Sequence, residues 1–499
     1  MKLTDLLRDV PVVSTQGDTN VEISSVSADS RLVRKGAVFV AIPGLQQDGA
    51  KFISQAVEKG AVAVVSSRAG RPTAAGETPA LLIVSDARSA LALIAANFYG
   101  RPADKLTLIG VTGTSGKTTT TKMVESILDA TGKPVGLIGT IEYRAGDERL
   151  VADRTTPDAA TLQEWFGKMV AAGVPRAVME VSSHALSLKR THGIRFAAAV
   201  FTNLSRDHFD FHKDFDDYFA AKKMLFDQID RSRRTAVVNI DDEYGRRLAN
   251  DLGSAAMTFG RSRAADIRPG DDFVIDVRGL RGRVITPNGT VNVDSKLIGF
   301  PNLSNWLAAI GSAIVIGIPI ATIEKGIRSL TVVRGRFERV DTEAGPTVIV
   351  DYAHKPDALE KLLHAVRDLA GPKRVTVLFG CGGDRDKGKR SQMGEIAGRL
   401  ADFSIITSDN PRSEDPDAIL DEVEKGIRGA GKKYERITDR REAIARAIER
   451  ASDDDVLVIA GKGHETYQVV RDQIVHFDDR EEAELALKKR AEKVVPKSV

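Results

Sequence analysis

The stretch Leu106-Thr107-Leu108-Ile109-Gly110-Val111-Thr112-Gly113-Thr114-Ser115-Gly116-Lys117-Thr118-Thr119 decides the fold. Leu106–Val111 is an apolar run that reads as a buried strand, and Lys117–Ala130 has the pattern of a helix. A strand, a glycine turn and a helix start make an anion site, because backbone N–H groups point inward and the helix end adds partial positive charge. In such a site Lys117 would reach the β- and γ-phosphates of a nucleotide, and Thr118 would ligate Mg²⁺. The spacing departs from the common phosphate loop of Gly, four residues, then Gly-Lys. Val111 occupies the first position and Gly110 comes one residue early, so this is a tighter variant with Gly113 as its leading glycine.

Working outward, further strand candidates on the C-terminal side are Val135–Ile138, Ala177–Val181, Ala198–Thr202 and Ala236–Asn239, with helix-length segments between them. That alternation predicts a mainly parallel α/β sheet over residues 104–333. On the N-terminal side, Val38–Ile42, Ala61–Val65 and Leu81–Val84 read as strands and Ser89–Tyr99 as a helix. Arg101-Pro102-Ala103 reads as a linker closing a first domain, 1–103. A third domain, 334–499, carries strands Val348–Asp351, Val375–Phe379, Ser404–Thr407 and Val456–Ala460. Asp351, Gly380, Asp409 and Gly461 lie at or just past the strand ends. Ligands of open α/β sheets bind there. The lysine-rich last dozen residues are expected to fray.

Bulk composition narrows the classes. The 499 residues allow two to four domains. The 72 basic and 69 acidic side chains are too balanced for a nucleic-acid binder. Cys381 is the one cysteine, which excludes an intrachain disulfide and fits a reducing compartment. The N-terminus shows no secretory pattern, and the uncharged run Trp306–Ile323 is broken by Gly311, Ser312, Gly317 and Pro319. It reads as a buried helix end followed by a new start, not as a membrane span, so a cytoplasmic protein without membrane insertion is expected.

A phosphate loop serves motors, kinases, GTPases and ligases alike, so other residues must choose among them. Glu180 ends a strand and can face a metal opposite the loop. Ser182-Ser183-His184 follows, and Phe201–Asp210 runs into a loop dense in Asp and His, including His208. Carboxylate with imidazole suits Mg²⁺ or Mn²⁺ assisting phosphoryl transfer, although a capped helix start with solvated charges reads the same residues. Tyr218–Phe226 reads as an amphipathic helix on which Lys222 would be an ordinary exposed lysine.

Taken in order, these stretches resemble the Mur ligase family, which builds the peptide stem of bacterial peptidoglycan. The matching segments run nearly end to end. They are Asp29-Ser30-Arg31, Gly113–Thr119, Glu180–His184, Phe201–Asp210, Ala220-Ala221-Lys222, Gly335–Glu338, Asp351–His354, Gly380–Arg390 and Gly461–Glu465. The resemblance implies three domains: an N-terminal α/β domain for the UDP end of the substrate, a central phosphate-loop ATPase-like domain and a C-terminal Rossmann-like domain for the amino acid. It implies that Lys222 becomes N6-carboxylysine and, with Thr118, Glu180 and His208, holds Mg²⁺. Gly113, Thr114, Ser115, Gly116, Lys117, Thr118, Thr119, Asn302, Asn305, Arg336 and Asp351 would contact ATP. Ser30, Thr155, Thr156, Ser182 and Arg190 would contact the UDP-muramoyl-dipeptide. Leu188, Arg154 and Ser115 depart from the family's usual glutamine and two asparagines.

The tetrapeptide Asp409-Asn410-Pro411-Arg412 bears on which amino acid is added. Diaminopimelate carries one more carboxylate than lysine, and arginine binds carboxylates through paired hydrogen bonds. In the family this tetrapeptide goes with diaminopimelate, and Arg385, Gly461 and Glu465 match further contacts, Glu465 with an ammonium group. The expected reaction is ATP-dependent: the D-glutamyl carboxylate becomes an acyl phosphate, which the amine attacks. Lys117 and metal ions would offset the transferring charge. His354 and Asp384 are the candidate general bases. A monomer with only small-molecule partners is expected. The rivals are a lysine-adding or other amide ligase, and a nucleotide-binding scaffold that has lost catalysis.

Overall fold

The computed structural model describes residues 1–44, 47–68, 78–340 and 345–494. Two compact units emerge, one from Met1–Ile267 with Ala308–Ile323, the other from Arg268–Leu307 and the chain from Glu324 onward.

The first unit contains two sheets. Near the N-terminus, Ser25–Ser27, Ala37–Ala41, Ala61–Ser66 and Ala80–Val84 run parallel, and Val12–Gln16 adds antiparallel to the last of these. The helix Ala87–Phe98 covers this sheet with Ala90, Leu91 and Ile94 buried, and Asp86 caps its start by accepting from Arg88 N. The larger sheet has eight strands. Thr107–Thr112 lies in its middle, parallel to Arg176–Glu180 on one side and Ala198–Phe201 on the other. Such doubly flanked strands are covered on both faces, which is why they read as continuous apolar runs. The outermost strands on one side, Glu142–Ala145 and Glu148–Val151, turn back antiparallel. Pro102 and Ala103, read as a linker, are buried in a 3₁₀ turn, Pro102–Lys105.

Register sets the first site. Glu180 pairs with Val111, and Phe201 with Thr112, so the residues following these strand ends emerge in one row. The helix Lys117–Asp129 returns from that row, burying Met123, Val124, Ile127 and Leu128. Each such side chain contributes about 1.5–3 kcal/mol relative to exposure, enough to fix the helix start against the sheet.

The second unit has a six-stranded sheet in the order Glu338–Val340, Thr347–Asp351, Val456–Ala460, Val375–Phe379, Phe403–Ile406, Tyr434–Arg436, parallel except for the first strand. Asp351 and Phe379 both pair with Ala460, and Phe379 pairs with Ile406. Asp351, Gly380, Gly461 and the Asp409 segment are therefore delivered to one edge, as the strand endings predict. An antiparallel sheet between Arg268 and Ser295 was not legible in the sequence. The run from Trp306 is interrupted as expected: one helix ends at Val315 and another starts at Ile320. Among the described residues no helix is long and apolar enough to cross a membrane.

The C-terminal end departs from expectation. A helix, Asp479–Val494, occupies seven of the residues expected to fray, and residues 495–499 lie outside those described. Buried Ala483 and Leu487 anchor it, and Arg490 donates to Ile448 O and pairs with Asp453.

Candidate active site

The loop after Thr107–Thr112 is built by its backbone. Gly113 has φ +146° and Gly116 has φ +86°. A Cβ on Gly113 would stand 1.9 Å from Thr202 Oγ1, so no other residue passes there without displacement. The turn is stitched to the neighbouring strand end: Thr114 N donates to Asn203 O, Ser115 N donates to Asn203 Oδ1 (3.0 Å), and Thr202 Oγ1 donates to Ser115 O (2.7 Å). Lys117 Nζ folds back onto Gly113 O and Thr114 O, at 3.0 Å each, which places its charge over the turn.

Glu180, buried at 1% exposure, is held by three donors: Thr118 Oγ1 (3.0 Å), Thr140 N (2.8 Å) and Thr140 Oγ1 (3.1 Å). Thr118 and Glu180 are thus brought together as two hard oxygen donors, the chemistry a divalent cation such as Mg²⁺ selects. Among the described residues no three His, Cys, Asp or Glu side chains converge as a metal cage.

Lys222 corrects the plain reading of the sequence. It lies on the helix Phe215–Lys223, which starts earlier than the periodicity suggested because Asp214 caps it by accepting from Asp217 N. Its side chain is 1% exposed, and Nζ donates to Gly113 O at 2.7 Å, above the Tyr218 ring at 4.3 Å. Burial and then the neighbouring Lys117 charge push its pKa well down, only partly opposed by Asp207. That shift favours the neutral amine, the form that reacts with CO₂ to give a carbamate.

His208 stands at φ +57° with its ring 4.8 Å from His184, and Nε2 lies 3.5 Å from Asp207 Oδ2. It therefore sits in a histidine cluster. His212, buried, bridges Ser183 Oγ and Asp217 Oδ2, and the His184 pKa is held down by burial and by His212.

Alongside runs a second polar row. Thr155 Oγ1 meets Thr140 Oγ1 at 3.1 Å, Thr156 Oγ1 donates to Glu180 O, and Ser182 N donates to Thr156 Oγ1. Arg190 Nη1 donates to Thr156 O at 2.6 Å. Thr155, Thr156, Ser182 and Arg190 are therefore one cluster touching Glu180. Ser30 lies apart, in the turn that follows the strand Ser25–Ser27, donating to Gln55 Oε1 at 2.7 Å.

In the second unit, Asp351 accepts from Phe337 N (2.7 Å) and Ala353 N (2.9 Å), and its pKa is raised by burial against the opposing pull of Arg336. Arg336 lies over the Tyr352 ring at 4.8 Å, its Nε buried without a hydrogen-bond partner among the described residues. Burial holds His354 and His464, both against Tyr352, down to about 4. Asn302 Nδ2 donates to Ile298 O, and Asn305 Nδ2 reaches Asn302 Oδ1 at 3.5 Å.

The remaining predicted residues gather past the ends of Val375–Phe379, Phe403–Ile406 and Val456–Ala460. Arg412, at φ +54°, is pinned by backbone bonds to Val469 and Arg471, and its Nη1 donates to Gly383 O at 2.7 Å. Asn410 Nδ2 donates to Glu465 Oε2 at 3.0 Å. A Cβ on Gly461 would lie 3.0 Å from Asp409 Oδ2. Pro411 is buried beside Gly383, whose Cβ would meet Pro411 O. Arg385 is exposed, touching Asp384 O. Several supports escaped sequence reading. Arg390, fully buried, holds Glu414 at 2.8 and 3.0 Å, and Glu414 Oε1 accepts from Asp384 N. Arg440 pairs with Asp479 at 2.7 Å through two bonds and ties Ala460 O. Thr140 was missed too, although it follows the strand Val135–Ile138 closely. A row of strand ends was its available signal.

Strand, glycine loop and helix, with a buried acid on the next strand, define an α/β protein of the phosphate-loop type. Comparison with known proteins specifies it further. The chain matches the Mur ligase middle domain over residues 111–313, the Mur ligase glutamate ligase domain over 335–463 and the catalytic domain of the Mur ligase family over 22–99. It is 44% identical over 513 residues to the UDP-N-acetylmuramoyl-L-alanyl-D-glutamate–2,6-diaminopimelate ligase of Geobacter metallireducens, covering 99% of each chain. To the Bacillus cereus ligase of the same name it is 46% identical over 490 residues, covering 97% of each. A solved structure of a ligase of that name matches with a TM-score of 0.71 at 30% identity, over 98% of this chain and 99% of that one. The MurF ligase of Thermotoga maritima, solved with ADP, shares the fold at a TM-score of 0.58 and 20% identity, over 94% and 98%. The chain belongs to the Mur ligase family.

Proposed function

We propose that this chain joins meso-2,6-diaminopimelate to the D-glutamyl side-chain carboxylate of UDP-N-acetylmuramoyl-L-alanyl-D-glutamate, consuming ATP, in the assembly of peptidoglycan precursors. The observation that carries the reading is similarity along the whole chain, 44% over 99% of both partners, to a ligase of that name. The site geometry supports it.

We divide the labour among residues 1–103 for the UDP end, 104–333 for ATP and 334–499 for the amino acid. Gly113–Thr119 cradle the phosphates, with Asn302, Asn305, Arg336 and Asp351 as further nucleotide contacts. Lys117, already over the turn, offsets charge on the γ-phosphoryl group as it moves to the glutamyl carboxylate. Mg²⁺, when bound, would neutralise phosphate charge in contact with Thr118, Glu180, His208 and carboxylated Lys222. The cluster Thr155, Thr156, Ser182 and Arg190 shares Glu180 with Thr118, so the carboxylate to be activated would be delivered beside the phosphate loop. Arg412 and Arg385 receive the distal carboxylate of diaminopimelate, and Asp409, Asn410 and Glu465 its ammonium end. His354 and Asp384 remain candidates to take the proton from the attacking amine. For His354, burial keeps the ring neutral at physiological pH but, with its pKa held down to about 4, leaves it a weak base. A monomeric cytoplasmic enzyme is the accompanying expectation.

The test is phosphate release from ATP with the UDP-dipeptide and, in parallel, diaminopimelate, lysine or D-alanyl-D-alanine. Turnover with diaminopimelate should exceed the others by at least about 100-fold in kcat/KM. Faster turnover with lysine would overturn the choice of amino acid.

A further inference from the structure

We infer that Lys462 is a positioning residue of the amino-acid site, fixing Asn410 and Glu465 and setting the local charge to one net negative; this rests on the diaminopimelate reading above. Lys462 stands two residues past the strand Val456–Ala460, between Gly461 at φ +121° and Gly463 at φ +54°. A Cβ on Gly463 would stand 2.6 Å from Tyr352 Cβ, so the chain passes too close for any larger residue. Its own side chain is 0% exposed.

Three oxygens face its ammonium group: Asn410 Oδ1 at 3.1 Å, Glu465 Oε2 at 3.4 Å and Asp409 Oδ1 at 3.7 Å. The Tyr467 ring closes the pocket at 5.6 Å. Asn410 is thereby oriented without ambiguity. Its oxygen accepts from Lys462 and from Val469 N (2.9 Å), and its amide nitrogen donates to Glu465 Oε2 (3.0 Å). Both bonds to Glu465 fall on the same oxygen, which leaves the second oxygen outside this pair of bonds. Segments 52 residues apart in the chain are locked together by one buried cation.

Charge completes the argument. Asp409 and Glu465 bring two carboxylates, and Lys462 one ammonium. The nearby Arg440 is already matched by Asp479 and adds nothing to the balance. One negative charge is left over, which suits the single ammonium at one end of an amino acid whose carboxylate goes to Arg412 and Arg385. Without Lys462, the buried Asp409 carboxylate and the part-buried Glu465 carboxylate would lose their shared cation, and Asn410, which donates to Glu465, would lose one of the two donors that orient its oxygen. A purely structural ion pair such as Arg440–Asp479 would carry no such link to one substrate.

The experiment compares wild type, Lys462→Met, Glu465→Gln and the double variant as full-length enzymes, measuring kcat and KM for diaminopimelate, ATP and the UDP-dipeptide. In Lys462→Met the KM for diaminopimelate should rise at least about tenfold while the other two KM values stay within about twofold. In the Glu465→Gln background the same change should add less than about threefold, because the two residues act through one contact. The double variant removes the cation together with one of its two carboxylate partners, so its comparison with Glu465→Gln supplies the answer should Lys462→Met not fold. A diaminopimelate KM within about twofold of wild type in Lys462→Met, an equal rise for all three substrates, or fully multiplicative effects in the double variant would each overturn the inference. Absence of turnover with diaminopimelate in the wild type would instead overturn the parent reading.

Discussion

The phosphate loop and the region proposed to hold the amino acid both gather polar groups at strand ends, and they do so by opposite means. The loop is contiguous: Gly113 through Thr118 form it, and most of its contacts are backbone groups or side chains bonded to backbone. The amino-acid region is assembled from Gly383–Arg390, Asp409–Glu414 and Gly461–Tyr467, and side-chain pairs hold it: Arg390 with Glu414, Asn410 with Glu465, Lys462 with both Asn410 and Glu465. Phosphate is an anion that any ring of N–H groups can bind, so backbone suffices. Choosing between amino acids that differ by one carboxylate requires side chains at set positions, and those require buried supports.

The sharpest break of that contrast is Lys222→Ala, because here a distant side chain is asked to serve the contiguous loop. Phosphate release should fall by about 10²–10³-fold, with partial rescue by short carboxylic acids that stand in for the carbamate. Undiminished activity would remove Lys222 from the chemistry and leave the loop self-sufficient. Next in size, Arg412→Ala should lower kcat/KM for diaminopimelate by about 10- to 100-fold, the value of charge-assisted bonds to a carboxylate, with ATP KM unchanged. An equal loss for lysine would show that Arg412 shapes the pocket without reading the extra carboxylate. The smallest effect concerns support. Arg390, followed by Asp384 N, holds the Glu414 carboxyl down to about 2, below its unfolded value of 4.5. A lowered carboxyl stabilises the fold above its unfolded pKa and loses that contribution as pH falls toward the folded one. Wild type should therefore melt above Glu414→Gln at pH 7, and the gap in Tm should narrow between about pH 4.5 and 2. A gap that is constant with pH would mean that shape, not charge, is what Glu414 supplies.

Much of this molecule is legible in order along the chain. The strands Val135–Ile138, Ala236–Asn239, Val375–Phe379 and Val456–Ala460 fall where apolar runs between turn residues put them, because buried parallel strands must be apolar on both faces. The sheet between Arg268 and Ser295 was invisible because its strands alternate, burying Val291 and Val293 while exposing their neighbours, so no continuous run marks it. Lys222 and Lys462 look alike in sequence to any surface lysine. Only the surrounding fold shows that both are buried, one on Gly113 O and one among Asp409, Asn410 and Glu465.

By itself the sequence determined the phosphate loop, since a strand, two glycines with special backbone angles and a helix start lie within a dozen residues and their physics is local. It also determined which strand ends carry polar residues. Tertiary structure alone decided which of those residues meet: that Thr118 bonds Glu180, that Lys222 is buried against the loop, and that Lys462 joins the Asp409–Arg412 segment to Glu465. Burial and pairing of charges depend on what the fold brings alongside, and residues 52 to 109 positions apart carry no local mark of one another.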